Sequence, residues 1–354
     1  MNRILARKEV CVCAGSGGVG KTTTSAAIAA GMARRGKKVA VLTIDPAKRL
    51  ANSLGLPELG NEERRVPGDF GDGELWAMML DAKRTFDELI EWHAPDPETR
   101  DAVLGNRIYQ ELSNAVAGSQ EYMAMEKLHE LHQEGRYDLL VLDTPPTRNA
   151  LDFLDAPRRL STFIDSRSLQ LFTMPGRVGL RVLGRGTGVV FSVMKRATGI
   201  DLLQDLSEFF RSFGTMSAGF RERAEHVNAL LADSRTAFVL VTSPAPDAVT
   251  EAEFFHHRLL DQGLPFAGVV VNRMHPLAAN SDTALPGSLG DELRGKVLRN
   301  LEDYRVLAER DKASLDRLRS ILGRKPMITV PELDDDVHDL AGLERMNEYL
   351  FGVS

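Results

Sequence analysis

Residues 15 to 22 read Gly-Ser-Gly-Gly-Val-Gly-Lys-Thr and satisfy the phosphate-cradling pattern G-x-x-x-x-G-K-[ST] at every fixed position. Gly15, Gly17, Gly18 and Gly20, with Ser16 and Val19 between them, let the backbone turn sharply and aim N–H groups inward. Lys21 would reach the terminal phosphates, and the Thr22 hydroxyl would ligate Mg²⁺. Thr23 completes this set of nucleotide-binding candidates. Two aspartates have chemistry to offer beside it. Asp143 follows four apolar residues, as an acid does when it orients Mg²⁺ and its waters from a strand next to the loop. Asp45, followed by Pro46, could accept a hydrogen bond from an attacking water and act as base.

These residues need strands and helices to hold them, and the chain supplies both. Val10 to Ala14 reads as a buried strand before the loop, and Thr22 to Arg34 as a helix after it, whose N-terminus adds partial positive charge. Further strands are expected at Val39 to Ile44, Leu75 to Leu80, Leu139 to Leu142, Ala237 to Thr242, Ala267 to Val271 and Met327 to Val330. Continuous β-branched runs suit strands buried on both faces, and alternation with helices implies a mostly parallel central sheet with right-handed crossovers. Ligands then bind beyond the strands' C-terminal ends, where the loop, Asp45-Pro46 and Asp143-Thr144-Pro145-Pro146 all fall. The expected fold is an α/β P-loop NTPase, its core formed by 1–150 and 235–354, with a helical insertion at 151–234 for a client or partner. Within that insertion, 166–200 carries Arg167, Arg177, Arg181, Arg185, Lys195 and Arg196, no acid, and many apolar residues broken by glycines. Such a segment suits an apolar client, a partner subunit or an anionic lipid surface.

Composition narrows the class. The 354 residues are 43% hydrophobic and 27% charged, with net charge −6, which speaks against a nucleic-acid binder. No signal-peptide stretch opens the sequence and no apolar run approaches membrane-spanning length, so a cytoplasmic protein is expected, peripheral at the membrane if it meets one. Cys11 and Cys13, the only cysteines, share one strand face at a spacing poor for a disulfide and read as buried thiols. His129 and His132, and likewise His256 and His257, read as solvated helix faces. The sixth strand ends in Asn272-Arg273-Met274-His275, without the aspartate that holds a guanine amino edge. Asn272 can still hydrogen-bond adenine, which makes ATP the expected nucleotide.

On five segments the chain resembles the ArsA/GET-type ATPases, the arsenite-pump and tail-anchored-protein-targeting group of deviant P-loop NTPases that also holds MinD and ParA. The segments are GSGGVGKTTTSAA (15–27), TIDPAKRLANSLGL (43–56), DTPPTRNALDFLDAP (143–157), VVVNRMHP (269–276) and VPELDDDVHDL (330–340). The resemblance implies that Asp45 and Pro46 lie in switch I, with Asp45 activating water. It implies that Asp143, Thr144, Pro145, Pro146 and Thr147 form switch II, with Arg148 after it. It implies that Asn272, Arg273 and a loop from Pro331 to Val337 hold the adenine. It further implies a dimer closing over two ATP molecules and opening after hydrolysis.

Two departures stand out. The family's signature lysine, which reaches the partner's phosphates, falls on Ser16, and serine supplies no charge. Lys48, Arg49 and Arg148 make both switches basic, and one of them could supply a cation across a dimer. A paralogous subunit bringing the lysine is the other arrangement, so homodimer and heterodimer both stand. The zinc-clamping Cys-x-x-Cys of some relatives is also missing from Leu285 to Leu322, so the expected dimer is zinc-free. One phosphate loop per chain means that two chains must pair to build a two-site arrangement. Alternatives are a subunit of an anion or metalloid efflux pump and a low-turnover nucleotide-gated module. Arsenite is sensed by thiolates, and both cysteines sit on the core strand, which disfavours the pump.

Overall fold

The computed structural model describes residues 1–45, 47–107, 109–110, 119–144, 202–276 and 290–352. Pro46, Pro145, Pro146, Thr147, Arg148 and the basic segment 166–200 lie outside the described residues.

The chain separates into two compact units. The first comprises Met1–Met79, Leu131–Leu151 and Leu231–Ser354, and the second Leu80–Glu130 and Asp152–Leu230. The second unit therefore takes in 80–130, whereas the expected insertion began at 151.

The first unit holds an eight-stranded sheet. In chain order the strands are β1 (Val10–Ala14), β2 (Lys38–Thr43), β3 (Arg64–Arg65), β4 (Glu74–Met79), β5 (Leu139–Asp143), β6 (Thr236–Thr242), β7 (Phe266–Met274) and β8 (Met327–Pro331). Their order across the sheet is β3-β4-β2-β5-β1-β6-β7-β8. Every pairing is parallel except β3 with β4. The seven expected strands all form, with shifted ends; β7 is the longest of them because it runs on through Asn272 to Met274. β3 was not expected. It is two exposed arginines, too short and too polar for a hydrophobic pattern to reveal.

All residues of β1, β5 and β6 are buried, as suits central parallel strands. Cys11 and Cys13 are free and buried in β1, their sulfurs 3.9 Å apart. Register sets Cys13 and Thr43 level with Asp143 on the two flanking strands, so three strand ends meet at one place.

Among the described residues, the sheet is flanked by α1 (Asn2–Leu5), α2 (Lys21–Ala33), α3 (Arg49–Ser53), α8 (Pro246–Asp261), α9 (Asp291–Leu322) and α10 (Leu340–Phe351). The second unit is built from α4 (Ala82–His93), α5 (Pro97–Leu104), most of α6 (Ser119–Glu134) and most of α7 (Leu202–Ala232). No described helix is long and apolar enough to cross a membrane.

The helix after the phosphate loop is buried on every side from Thr24 through Ala33. Its small residues permit this. A Cβ on Gly31 would lie 2.3 Å from the Phe351 ring, so α2 and α10 approach closely only because residue 31 has no side chain. The second unit has its own aromatic core, with the Phe86 ring 5.4 Å from Tyr109 and 6.2 Å from Phe220. Arg223 pairs there with buried Glu126, which also accepts a hydrogen bond from Tyr122 at 3.0 Å.

The histidines differ from expectation. His129 is buried and stacks on His226, and His132 bonds Glu9 at 2.8 Å. His256 is buried edge-on against Phe266, while His257 is exposed as expected. Helical spacing fixes which residues share a face, but the neighbouring strand or helix decides whether that face is wet.

At Gly73, before β4, an added Cβ would lie 1.9 Å from the Ala33 carbonyl oxygen and 2.7 Å from that of Lys37. Both obstacles are backbone, one at the end of α2 and one just before β2. Gly73→Ala is expected to cost about 2 kcal/mol or more of stability. Urea unfolding checks it, and an unchanged midpoint would show that the α2–β2 connection yields.

Candidate functional site

The phosphate loop leaves β1 and enters α2 at Gly20, whose φ of +86° is left-handed and open to glycine at little cost. Gly18 has φ +80°. At Gly15 the constraint is contact: a Cβ would sit 2.0 Å from the Val241 carbonyl oxygen of β6. The loop is held from several sides. Val19 is 3% exposed and packs with Val241 and Ala248, a burial worth about 1.5–3 kcal/mol for a valine. Asn272 Nδ2 donates to the Val19 carbonyl at 3.0 Å, and Arg273 Nη1 to that of Gly18 at 3.0 Å. Arg273 itself has φ +60°, an uncommon conformation for a residue with a side chain.

Lys21 is buried, and its Nζ donates to the Ser16 carbonyl at 2.8 Å. Burial lowers its pKa, opposed by the nearby Asp143 and Asp45 carboxylates. The Ser16 hydroxyl is buried and bonds to nothing among the described residues.

Asp143 is wholly buried at the end of β5. Its Oδ2 accepts hydrogen bonds from Thr22 at 2.7 Å and Thr43 at 2.9 Å, and its Oδ1 accepts one from Ser25 at 3.4 Å. Thr144, the next residue, is anchored to β1 by a hydroxyl bond to the Cys13 carbonyl at 2.9 Å. The Asp45 backbone N–H donates to Thr43 Oγ1 at 3.2 Å, which ties the segment after β2 into the same network. The Asp45 carboxylate accepts from the Ala47 N–H at 2.9 Å and from Arg49 Nη1 at 3.1 Å.

These groups surround a cleft of about 470 Å³ in the first unit, lined by Gly18, Gly20, Lys21, Thr22, Thr23 and Asp45, among others. Arg273, Thr144 and Asp336 to His338 reach it as well. Position of that last loop is set by the start of α10, where Asp339 caps the helix by accepting the Gly342 N–H at 2.8 Å. Asn272 and Pro331 are absent from the lining. The Asn272 amide holds the loop instead, and glycine at 20 is what admits it, since a Cβ there would lie 2.4 Å from Nδ2. Arg49, a candidate for the cation reaching across a dimer, lines the cleft of its own chain. Asn52 and Ser53, which sequence reasoning passed over, line it too, all three on the five-residue helix after Asp45.

The residues fit Mg²⁺. The Thr22 hydroxyl, which lines the cleft, and the Asp143 carboxylate buried behind it are hard oxygen donors 2.7 Å apart.

A strand-loop-helix phosphate cradle at the C-terminal edge of a mostly parallel sheet, with an acid on the adjacent strand, defines a P-loop NTPase. The family model described as anion-transporting ATPase matches residues 8–352. The chain belongs to that family, known as ArsA_ATPase, and is an ATPase. It is 26% identical over 338 residues to the ATPase get3 of Neurospora crassa, covering 95% of this chain and 88% of that one. It is 27% identical over 342 residues to the ATPase GET3 of Malassezia globosa, covering 96% and 89%. It is also 25% identical over 354 residues to the putative arsenical pump-driving ATPase 1 of Aquifex aeolicus, covering 97% and 79%.

Burial pushes the Asp143 carboxyl up from its ordinary 3.8 to about 6, against the hydroxyls of Thr22 and Thr43 and the Lys21 charge, which hold it down. The native state then binds this proton more tightly than the unfolded chain does. The carboxyl's contribution to stability is most favourable below pH 4, falls as pH rises through 4 to 6, and stays low above that. About 3 kcal/mol is at stake. Without nucleotide, Asp143→Asn is expected to gain stability over the native protein across that window. Unfolding curves at several pH values check it; parallel profiles from pH 4 to 7 would give Asp143 an ordinary pKa.

Proposed function

We propose that the protein is an ATP-driven dimeric switch in which nucleotide-dependent closure controls binding of a hydrophobic client or membrane partner. The observation that carries this reading is the chain of contacts from Thr22 through Asp143 and Thr43 to Asp45. It joins the phosphate loop to the segment after β2, so a change at one is felt at the other.

In this reading the loop N–H groups from Gly15 to Thr23 and the start of α2 cradle the phosphates, and Lys21 reaches the terminal ones. Thr22 would hold Mg²⁺ directly and Asp143 through water, and the bound ion would neutralise charge on the phosphates. Asp45 orients the attacking water and takes its proton. Arg273 and the loop ending at Val337 flank the base, with Asn272 and Pro331 behind them. Pro46, Thr144, Pro145, Pro146, Thr147 and Arg148 belong to the moving switches. The basic, apolar stretch 166–200 follows switch II in the chain and is the proposed contact surface for client or partner. A site in the cytoplasm, with visits to a membrane, fits such a partner.

Work as a metalloid-pump subunit is the second reading, favoured by the family's description and the Aquifex aeolicus relative. Burial of both cysteines leaves them poorly disposed to bind a metalloid, so the switch is preferred.

Calorimetry and single-turnover hydrolysis test the site. Lys21→Ala is expected to lose most ATP affinity. Asp45→Asn is expected to bind ATP yet hydrolyse it about 10²-fold more slowly. Native affinity in the first variant, or a native rate in the second, would remove those roles.

Assembly is tested by light scattering with ADP and with a non-hydrolysable ATP analogue. The analogue should yield the compact dimer without added metal beyond Mg²⁺. A monomer in both states, with no paralogue co-purifying, would defeat the dimer.

A further inference from the structure

We propose that Arg49 is a catalytic residue of ATP hydrolysis, one whose guanidinium leaves Asp45 for the terminal phosphate and stabilises its transfer from within the same chain. The proposal rests on reading the cleft as the ATP site. It goes further in naming the source of charge and the contact that must be exchanged.

Asp45 and Arg49 stand four residues apart, at the two ends of the turn into α3. Arg49 Nη1 lies 3.1 Å from Asp45 Oδ2, and the two side chains are 62% and 11% exposed. The Arg49 end of the pair stands mostly in water and is screened by it, so the guanidinium can be rehydrated or re-paired as it leaves the more buried Asp45. Among the described residues Arg49 bonds to one carboxylate oxygen, which leaves most of the five donors of its planar fork for other acceptors, a geometry suited to phosphate oxygens.

The neighbouring basic residue does not share this position. Lys48 lines a separate cavity of about 130 Å³ with Glu58, Leu59 and Met79, whereas Arg49 lines the phosphate cleft with Lys21, Thr22 and Thr23. Asp45 borders both. Arg273, the other arginine of the cleft, is bound to the loop backbone at Gly18. Lys21 is fixed in the loop and buried. Position 16, also in the loop, offers only a hydroxyl. Among the described residues lining the cleft, Arg49 is therefore the permanently charged side chain with both an exposed head group and a carboxylate partner it can give up.

The exchange does two things at once. Moving Arg49 to the terminal phosphate places positive charge where the equatorial oxygens carry the transition-state charge. It also frees Asp45 Oδ2 to accept a proton from water. The water oxygen bonds to the γ-phosphorus, and the bond from that phosphorus to the β–γ bridging oxygen breaks. That electron pair stays on ADP, and the water proton passes to Asp45. Inorganic phosphate leaves, Asp45 returns its proton to solvent, and Arg49 pairs with the carboxylate again.

The test compares the native protein with Arg49→Ala, Arg49→Lys and Asp45→Asn. Single-turnover rates are measured at saturating Mg·ATP, and calorimetry gives affinities for ADP and for a non-hydrolysable ATP analogue. Arg49→Ala should hydrolyse ATP about 10²- to 10³-fold more slowly. It should bind the analogue roughly tenfold more weakly and bind ADP as the native protein does. Arg49→Lys should recover part of the rate, since it restores charge but not the fork. A native rate in Arg49→Ala, with Asp45→Asn inactive, would overturn the proposal and leave the Asp45 role intact. A faster rate in Arg49→Ala would overturn it too, making Arg49 only a restraint on Asp45. Equal loss of ADP and analogue affinity would assign Arg49 to the shape of the cleft and overturn it as well. Native rates in both Arg49→Ala and Asp45→Asn would remove the Asp45 reading along with this one.

Discussion

A carboxylate with no access to solvent, Asp143, holds the working end of the sheet together. Burying a charge is costly unless hydrogen bonds compensate it. Here the compensation comes from Thr22 and Ser25 at the start of α2 and from Thr43 at the end of β2. Those elements are consequently drawn to the end of β5. The carboxyl still titrates well above the ordinary range, so compensation is incomplete. A site that is to accept a divalent cation benefits from that shortfall, because the cation supplies what the hydroxyls do not.

The two sides of the cleft are fastened in different ways. The phosphate loop is fastened to β6 and β7 by the Val19 cluster, by Asn272 and Arg273, and by close contact between Gly15 and Val241. The segment after β2 is fastened otherwise. A backbone bond to Thr43 anchors Asp45, but the Asp45–Arg49 pair is partly in water, and Lys48 has a strained φ of +22°. The switch proposed for this protein would need such a difference, a preformed cradle beside a segment that can take a second arrangement.

Much of this was legible in the linear chain. The phosphate loop is a local motif whose glycines are demanded by local geometry, and Val10 to Ala14 and the other buried strands announce themselves by continuous apolar runs. Asp45 and Asp143 were found because each ends such a run. Asn272 was found for the same reason, yet its contact in the structure is with the loop carbonyl of Val19. An amide's chemistry is readable from its type; which acceptor it reaches depends on how closely β7 passes the loop.

By itself, then, the sequence determined the sheet's strands save β3, the cradle and the two strand-end acids, since all of these follow from interactions between near neighbours. Only the tertiary structure decided that His129 and His256 are buried, that 80–130 joins the second unit, and that Arg49 rather than Lys48 faces the phosphate cleft. Each of these depends on contacts between residues far apart in the chain, or on how a short helix is set against the sheet. Hydrophobic periodicity carries no record of either.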